Sequence, residues 1–468
     1  MYVTNASIKV LYFIIIFVFI SLSGCSVPTY DVNLSQKVGG DEKEFKFIPL
    51  SDNIEALNAR IKIIDEAINT IDIKYYIYKD GDETTKILSG AIYNAANRGV
   101  RVRLLLDGLG SRAIKCITAI SQHKNIKVRL FNPIAFELKT MMYINYRMHN
   151  KMIVADGNVA IIGGRNVGDE YLTNQYGGEL FQDFDVFVRG DIVNDVSLSF
   201  NQYWTFDYSE PLSEHQTMCD GSIHLLKELN HKYHAYISKA YSHSWGKKIY
   251  NSKGEYWADH PDKKYSFKNE VMQNVYYKMA SAQESIIIVS PYFIPCEFGM
   301  QLLKSVREKG VEVTIITNSL SSNDVFLVHG WYKKYRSRLI NMGVDLWEIK
   351  RNQSRNNVVR ANKSSLHAKV VIIDEKELIV GSMNIDPRSM FFNTENVLLI
   401  RNEIYLSRHL VSLPNRLREA AYKLSIRDGN TVWTDMSTNY DYYEEPESKS
   451  MVKFWSHMSR ILPIEVYL

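Results

Sequence analysis

The sequence predicts an α/β protein built from two copies of one folding unit. Two observations carry this prediction. The segment His149–Asp156 has the pattern H-x-K-x4-D, which returns at His367–Asp374, and in both copies a Gly and then an Asn follow at the same spacing. Upstream of each copy, helical and strand-like segments alternate in the same order. The chain therefore repeats a whole domain and not only a motif.

Hydrophobic periodicity places the elements of each unit. Apolar residues at helical spacing predict helices, and apolar β-branched runs predict buried strands. Asn97–Val102 matches Glu308–Val313 at an offset of 211 residues, whereas the motif repeats at 218, so the second copy carries a short insertion between them. The predicted helices span 54–70, 84–98, 270–283 and 299–309, and the predicted strands span 71–78, 100–106, 285–290 and 311–317.

Each H-x-K-x4-D motif predicts a β-hairpin. In the first copy a buried strand reaches a tight turn at 156–158, and a second apolar run forms the returning strand. Side chains two residues apart on a strand share a face. His149 and Lys151 therefore point the same way, and so do His367 and Lys369.

The hairpin also brings an amide side chain to each histidine. Folding the first hairpin about its turn places Arg165 and Asn166 opposite His149, and folding the second places Asn384 opposite His367. An imidazole, an ammonium group and an amide suit a phosphodiester, because they offer a nucleophile or proton carrier, positive charge and neutral hydrogen bonds. Two copies facing each other would supply a nucleophile and a general acid on opposite sides of phosphorus.

The motif aspartates, Asp156 and Asp374, belong to the candidate catalytic motif but stand at the turns, seven residues from the histidines. Aspartate at a tight turn commonly bonds nearby backbone amides. We expect both to hold the hairpins in shape rather than to act on substrate.

The duplicated pattern, together with Gly163–Tyr171, Ser290–Pro295 and Asp386–Ser389, resembles the phospholipase D superfamily and more narrowly the bacterial cardiolipin synthases of the C type. The resemblance runs from about residue 46 to the end of the chain. It implies two tandem phospholipase D-like repeats, each a mixed β-sheet flanked by helices, with the active site at the pseudo-two-fold interface. It also implies an acid from each repeat that orients the histidine of the other: Glu395 for His149, and Asp183, with Asp185 as a close rival, for His367.

The resemblance further implies a two-step phosphatidyl transfer. His149 would attack phosphorus while His367 protonates the departing alcohol, and His367 would then activate the incoming hydroxyl. The first histidine is the usual nucleophile of the family, although the two motifs are too alike to decide this from sequence. No cofactor and no metal are expected. The oxygens of the phosphate would be held by Lys151, Lys369, Asn166 and Asn384.

The substrates implied by the resemblance are phospholipids, with phosphatidylglycerol and a second glycerophospholipid giving cardiolipin. A hydrolytic phospholipase D releasing phosphatidic acid uses the same chemistry and stays open. A phosphodiesterase or nuclease acting on nucleic acid would be expected to carry a strongly basic groove, and the net charge of +4 argues against that partner. A membrane-remodelling protein with an inactive site is disfavoured because both motifs are intact.

The N-terminus predicts attachment to a membrane in a bacterial cell envelope. The apolar run 10–20 is short for a bilayer span of about 20 residues, and Leu22–Cys25 resembles the lipobox of bacterial lipoproteins. Residues 1–25 would then be a signal peptide and Cys25 the lipidated residue. An uncleaved anchor helix is the alternative, and either would bring the protein to a membrane surface. The oligomeric state is left open.

Composition predicts the remaining organisation. Cys116, Cys219 and Cys296 are too widely spaced for a metal site or a disulfide framework, so neither is expected. The predicted segments are a tether over 26–45, a first phospholipase D-like domain over 46–210, a connecting segment over 211–265, a second domain over 266–402 and a C-terminal extension over 403–468.

Overall fold

The fold is described from a computed structural model that covers residues 37–111, 114–133, 144–173, 180–212, 222–240, 249–266, 269–351, 364–459, 465 and 468. The predicted signal peptide, Cys25 and Cys219 lie outside these residues. Within them, Cys116 and Cys296 are free thiols. No helix in the described ranges combines the length and the apolar character needed to cross a bilayer.

The first repeat comprises residues 43–211 and is followed by one connecting helix. The two helices that the sequence predicts here, 54–70 and 84–98, occupy Asn53–Glu66 and Glu83–Asn97. The carboxylate of Asp52 caps the first of them by accepting the amides of Ile54 and Glu55. The elements are β1 (Lys43–Leu50), α1 (Asn53–Glu66), β2 (Thr70–Tyr75), α2 (Glu83–Asn97), β3 (Arg101–Asp107), α3 (Lys115–Ile120), β4 (Ile126–Phe131), β5 (Arg147–Met148), β6 (Met152–Ala155), β7 (Val159–Gly163), α4 (Asp169–Leu172), β8 (Leu180–Gln182), β9 (Asp185–Gly190), α5 (Ile192–Trp204), β10 (Ser209–Pro211) and the connecting helix α6 (Ser222–Ala240).

The second repeat comprises residues 250–427 and follows the same order, with a C-terminal hairpin and helix added. Its elements are β11 (Tyr250–Ala258), α7 (Lys263–Ser266), α8 (Glu270–Ser281), β12 (Ser285–Val289), α9 (Cys296–Glu308), β13 (Glu312–Asn318), α10 (Phe326–Asn341), β14 (Asp345–Ile349), β15 (Ser364–Leu366), β16 (Val370–Ile373), β17 (Glu377–Gly381), α11 (Pro387–Phe391), β18 (Asn393–Thr394), β19 (Asn396–Arg401), α12 (Glu403–Leu410), α13 (Leu413–Ala420), β20 (Ala421–Arg427), β21 (Asn430–Asp435), β22 (Tyr440–Tyr442) and α14 (Ser450–Ser459).

Strand pairing joins the two repeats into one path with a pseudo-two-fold centre. Antiparallel β1 and β11 pair at the centre. Outward from them the order is β9-β7-β6-β2-β3-β4-β10 on one side and β19-β17-β16-β12-β13-β14-β20 on the other, with β21 and β22 beyond β20. Along this path, strands β2–β4 and β12–β14 pair in parallel and the remaining neighbours pair antiparallel. The sheet is mixed and duplicated, as the sequence predicts.

The hydrophobic cores lie on the two faces of this sheet. On one face of the first repeat, α1, α2, α3 and α6 pack on apolar side chains such as Ile73 and Leu104. On the other face, α5 packs on β6 and β7, and this core continues into the second repeat through residues such as Val380 and Leu398. A core shared by both repeats explains why Leu34–Leu468 forms one compact unit.

The predicted segment boundaries differ from the structure in three places. The last part of the predicted tether packs on the fold: Asn274 exchanges two hydrogen bonds with the backbone of Val38 (2.8 and 2.6 Å), and β1 begins at Lys43. The predicted connecting segment contains β11, which pairs with both β1 and β19. The second repeat therefore starts near residue 250, and it reaches β20 within the predicted extension. Strand β11 mixes polar residues and Gly254 with its aromatic residues, so hydrophobic periodicity did not mark it.

Candidate active site

The two motifs meet through two short cross-repeat strand pairs. Strand β5 pairs in parallel with β18, and β15 pairs in parallel with β8. As a result the backbone amide of His149 donates to Thr394 O (3.0 Å) and that of His367 donates to Gln182 O (2.7 Å). Each histidine is thus positioned by the backbone of the opposite repeat.

His149 is paired with Glu395. Its Nδ1 lies 3.0 Å from both carboxylate oxygens, and both side chains are buried. Glu395 is itself held by the hydroxyl of Ser382 and, through its backbone amide, by Asp259 Oδ2 at 3.0 Å. With Nδ1 directed at the carboxylate, Nε2 of His149 is the nitrogen available for chemistry.

His367 is paired with Asp183, whose Oδ2 lies 2.5 Å from Nδ1. The rival acid, Asp185, is engaged elsewhere: it forms buried ion pairs with Arg60 (2.9 Å) and Arg165 (3.3 Å). The sequence could not separate these two acids, and the structure brings only Asp183 to the histidine.

Arg165 does not face the reacting groups, contrary to the expectation that it would lie opposite His149. Its guanidinium donates to Leu50 O (2.8 Å) and to Asp183 O (2.7 Å), in addition to the ion pair with Asp185. It holds the segment that carries Asp183. A buried guanidinium with several carbonyl and carboxylate partners is a structural tie.

The two lysines occupy symmetric positions beside the histidines. Lys151 Nζ donates to His149 O at 2.6 Å, and Lys369 Nζ donates to His367 O. Lys369 Nζ also lies 3.0 Å from Nδ1 of His367. Both lysines are almost fully buried, so each presents its charge inside the cluster rather than to solvent.

Burial sets the protonation of the cluster. It lowers the pKa of His149 well below its usual value, and the charges of Lys151 and Lys369 lower it further. It also lowers the pKa of His367, an effect that Lys369 reinforces and Asp183 opposes. The pKa values of Lys151 and Lys369 are lowered by burial as well. Two lysines and two histidines are buried together here. A bound anion would stabilise their protonated forms.

The two amides are buried close to the motifs. Asn166 Oδ1 accepts the amide of Ile77 at 3.2 Å. Asn384 is 5% exposed, and within the described ranges its Oδ1 has no hydrogen-bond partner. A buried amide atom without a partner is costly unless a ligand satisfies it.

The motif aspartates lie at the far ends of their hairpins. Both adopt a left-handed backbone conformation, with φ of +51° for Asp156 and +52° for Asp374. Asp156 accepts the amides of Ile68, Asn69 and Thr70 at 2.7–2.8 Å, and Asp374 accepts the amides of residues 283–285. Burial would raise the pKa of each, but these amides lower it. The contacts tie each turn to the start of β2 or β12.

Comparison with known proteins identifies the family. The family description "Cardiolipin synthase, PLD-like domain" matches residues 61–204 and 275–413, more than half of the chain. The chain belongs to this phospholipase D-like family. Membership confirms the predicted family, the α/β fold with two phospholipase D-like repeats and the prediction of a phospholipase D-family phosphatidyltransferase.

Individual relatives span most of this phospholipase D-like chain. Cardiolipin synthase C of Escherichia coli (strain K12) is 34% identical over 456 residues, covering 89% of this chain and 95% of that protein. An uncharacterized protein of Helicobacter pylori (strain ATCC 700392 / 26695) is 31% identical and covers 89% and 88%. The crystal structure of phosphatidylserine synthase from Haemophilus influenzae Rd KW20 has a TM-score of 0.62 at 15% identity, covering 90% and 95%. That likeness shows the shared fold.

Sequence reasoning missed several residues that position the phospholipase D-like site. Ser382 replaces Gly164 of the first motif and bonds Glu395. Asp259 binds the Glu395 amide and forms a buried ion pair with Lys263 at 2.8 Å. Ser382 could have been found by aligning the two motifs, whereas Asp259 lies in a segment without any motif.

Proposed function

We propose that the chain is a phosphatidyltransferase that makes cardiolipin from phosphatidylglycerol and a second glycerophospholipid through a phosphohistidine on His149. The observation that carries the proposal is the pairing of each motif histidine with a buried carboxylate of the other repeat, His149 with Glu395 and His367 with Asp183. A carboxylate on Nδ1 fixes the tautomer and leaves Nε2 for attack or proton transfer.

In the first step, Nε2 of His149 attacks phosphorus and the bond from phosphorus to the departing alcohol breaks. His367 gives its proton to that alcohol oxygen. In the second step, His367 takes the proton of the incoming hydroxyl, whose oxygen attacks phosphorus, and the bond to His149 breaks. Each histidine ends in its starting protonation state, so the cycle balances.

The lysines and amides would hold the phosphate through both steps. Lys151 and Lys369 bring positive charge into a buried site, where its effect on a developing negative charge is larger than in water. Asn384 is buried beside the second motif, and its Nδ2 would donate a hydrogen bond to a phosphate oxygen. Asn166 takes the equivalent position in the first motif.

Lipid mass spectrometry on the full chain tests this function. The protein in mixed micelles is given phosphatidylglycerol alone or with phosphatidylethanolamine, beside a His149→Ala control. We expect cardiolipin only with the active chain, and the released alcohol identifies the donor. Phosphatidic acid in place of cardiolipin would make the protein a hydrolase, and no change in any lipid would overturn the proposal.

We also infer that the protein works at a membrane surface. On α14, Met451, Phe454 and Trp455 share one helical face and are 73%, 57% and 53% exposed, whereas the polar Ser456 is fully buried. An apolar stripe containing Trp and Phe that faces outward is typical of interfacial helices. Lipidation at Cys25, which lies outside the described residues, would add a stable anchor.

Two variants separate these membrane contacts. Phe454→Ser/Trp455→Ser should weaken co-sedimentation with phosphatidylglycerol vesicles in protein expressed from residue 26 onward, since that protein lacks both the apolar run 10–20 and the proposed lipid anchor. A gel-mobility shift lost in Cys25→Ser alone would support lipidation. Unchanged co-sedimentation of the α14 variant would remove that helix from the membrane contact, and unchanged mobility would exclude lipidation at Cys25.

A further inference from the structure

A cavity of about 1070 Å³ lies under the sheet of the second repeat, between the sheet and the helices α12 and α13. Most of its wall is apolar, with Ile287, Val289, Val370 and Ile372 on the sheet side and Leu417 on the helix side. Val370 and Ile372 share one face of β16 and are only partly buried, as expected for side chains that line an open space. This volume lies just above the range of about 300–1,000 Å³ that is usual for ligand sites, and a mainly apolar lining is also typical of them.

The same place in the first repeat is lined by charges. By strand pairing, Ile287 and Thr314 occupy the positions of Asp72 and Arg103, which form a bidentate ion pair at 2.7 Å. Val289 occupies the position of Lys74, which is fully buried against the ring of Tyr203. The second repeat has therefore exchanged three polar or charged groups for a mainly apolar surface.

The helices that cover this face of the sheet also differ between the two repeats, and only those of the first repeat form a continuous cover. In the first repeat the continuous helix α5 seals the sheet with fully buried side chains, including Phe200 and Tyr203. In the second repeat the cover is made of two shorter helices of eight residues each, and α13 begins at Leu413–Pro414. Close packing is the rule in protein interiors, so an apolar space left open beneath α12 and α13 calls for an occupant.

The cavity extends to residues that surround His367. Asp183, which lines it, is also the carboxylate that binds His367, and the lining residues Leu366 and Ala368 flank that histidine. We propose that the cavity binds one acyl chain of the phospholipid substrate while the phosphate lies between the histidines. The proposal rests on the proposed function for the identity of the lipid, and the apolar lining matches a hydrocarbon chain.

Photolabelling tests the location without requiring turnover. The full chain carrying His149→Ala is incubated with phosphatidylglycerol that bears a terminal diazirine on one hexadecanoyl chain, illuminated and mapped by peptide mass spectrometry. We expect label on peptides containing Ile287, Val289 or Val370. Label confined to other surfaces, such as α14, would overturn the proposal even if cardiolipin synthesis were established, and label in the cavity would support it even if the reaction proved hydrolytic.

Two cavity variants and one control make the test specific. Ile287→Asp/Thr314→Arg transplants the ion pair of the first repeat, and Val370→Phe places a larger side chain in the cavity. Each should reduce cavity labelling by about tenfold, because every buried methylene of a chain adds to binding. Leu198→Phe on the exposed side of α5 should leave labelling unchanged. A melting curve identifies any variant that fails to fold. If one cavity variant does not fold, the labelling of the other one tests the proposal.

A parallel experiment with a free fatty acid shows whether the acyl chain in the cavity belongs to a phospholipid. Hexadecanoic acid with the same diazirine is tested with and without unlabelled phosphatidylglycerol. Displacement of the fatty acid by the phospholipid supports a substrate chain in the cavity. Cavity labelling by the fatty acid that phosphatidylglycerol neither reproduces nor displaces would overturn the assignment.

Discussion

The two histidine–carboxylate pairs occupy equivalent places in the two repeats but are built differently. Asp183 fits against Gly164, where a Cβ atom would lie 2.2 Å from its Oδ1. In the second repeat Ser382 stands at the position of Gly164, and its hydroxyl donates to the longer acid, Glu395. A nearly symmetric backbone thus carries an asymmetric pair of acids.

This difference changes the protonation of the two histidines. Burial raises the pKa of Glu395, and it would raise that of Asp183, but the adjacent His367 and Lys369 hold the pKa of Asp183 below its usual value. A carboxylate that keeps its charge stabilises an imidazolium. Asp183 raises the pKa of His367 against the effect of burial, whereas burial and the neighbouring cations all lower the pKa of His149. We therefore expect His149 to be the nucleophile and His367 the acid.

The largest expected effect separates the two histidines. His149→Ala should abolish transfer and leave no phosphoenzyme, because no group replaces the nucleophile. His367→Ala should lower the rate by about 10²- to 10⁴-fold, the usual contribution of a general acid. Acid-free quench and mass spectrometry of the labelled peptide measure this, and a phosphate found on His367 would reverse the two roles.

A leaving group that needs no proton sharpens the same comparison. With a p-nitrophenyl phosphodiester, His367→Ala should lose much less of its first-step rate than with a glycerol leaving group, since p-nitrophenolate departs without protonation. Equal losses for the two leaving groups would contradict the assignment of His367 as the acid.

The next largest expected effect comes from replacing the carboxylates that bind the two histidines. Asp183→Asn should lower the rate by about 10- to 100-fold, a typical cost for losing a residue that orients a reacting group. It should also move the alkaline limb of the pH–rate profile to lower pH, because Asp183 raises the pKa of His367 and its removal lets that proton leave earlier. Glu395→Gln should leave that limb in place. A pH series with each variant measures the difference.

Stability should also differ between the repeats. Asp185 neutralises two buried arginines, Arg60 and Arg165, while the equivalent position in the second repeat is the apolar Val397. Asp185→Ala should lower the free energy of unfolding by about 3–5 kcal/mol, because it leaves buried charge unpaired. Val397→Ala is the matched control and should cost less. Denaturant titration compares the two.

The smallest expected effect lies in the hairpin turns. Glu375 has φ of +53° where the first repeat has Gly157 at +63°. A non-glycine residue in this region is strained by about 1–2 kcal/mol. Glu375→Gly should therefore raise the free energy of unfolding by up to about 1 kcal/mol, and Gly157→Glu, whose added Cβ would meet no neighbour, should lower it similarly. Equal stabilities would show that the turns do not differ in strain.

Much of this site was predictable because the motif repeats. Duplication identified the hairpins, and strand alternation placed each lysine beside its histidine. The choice between Asp183 and Asp185 was not predictable, because both follow the first hairpin closely and only the partners of Asp185 exclude it. Neither the role of Asp259 nor the cavity could be predicted from sequence patterns. Each depends on segments that are distant in sequence and meet only in the folded sheet.

The cross-repeat strand pairs have a consequence for biosynthesis. The amide of His149 is held by Thr394, and its imidazole by Glu395, so a chain still being synthesised presents the first motif long before its supports exist. A truncated first half would carry a complete H-x-K-x4-D sequence without a positioned histidine. The active site would thus be complete only late in translation. The lipid-modifying activity would be absent until most of the polypeptide has been made.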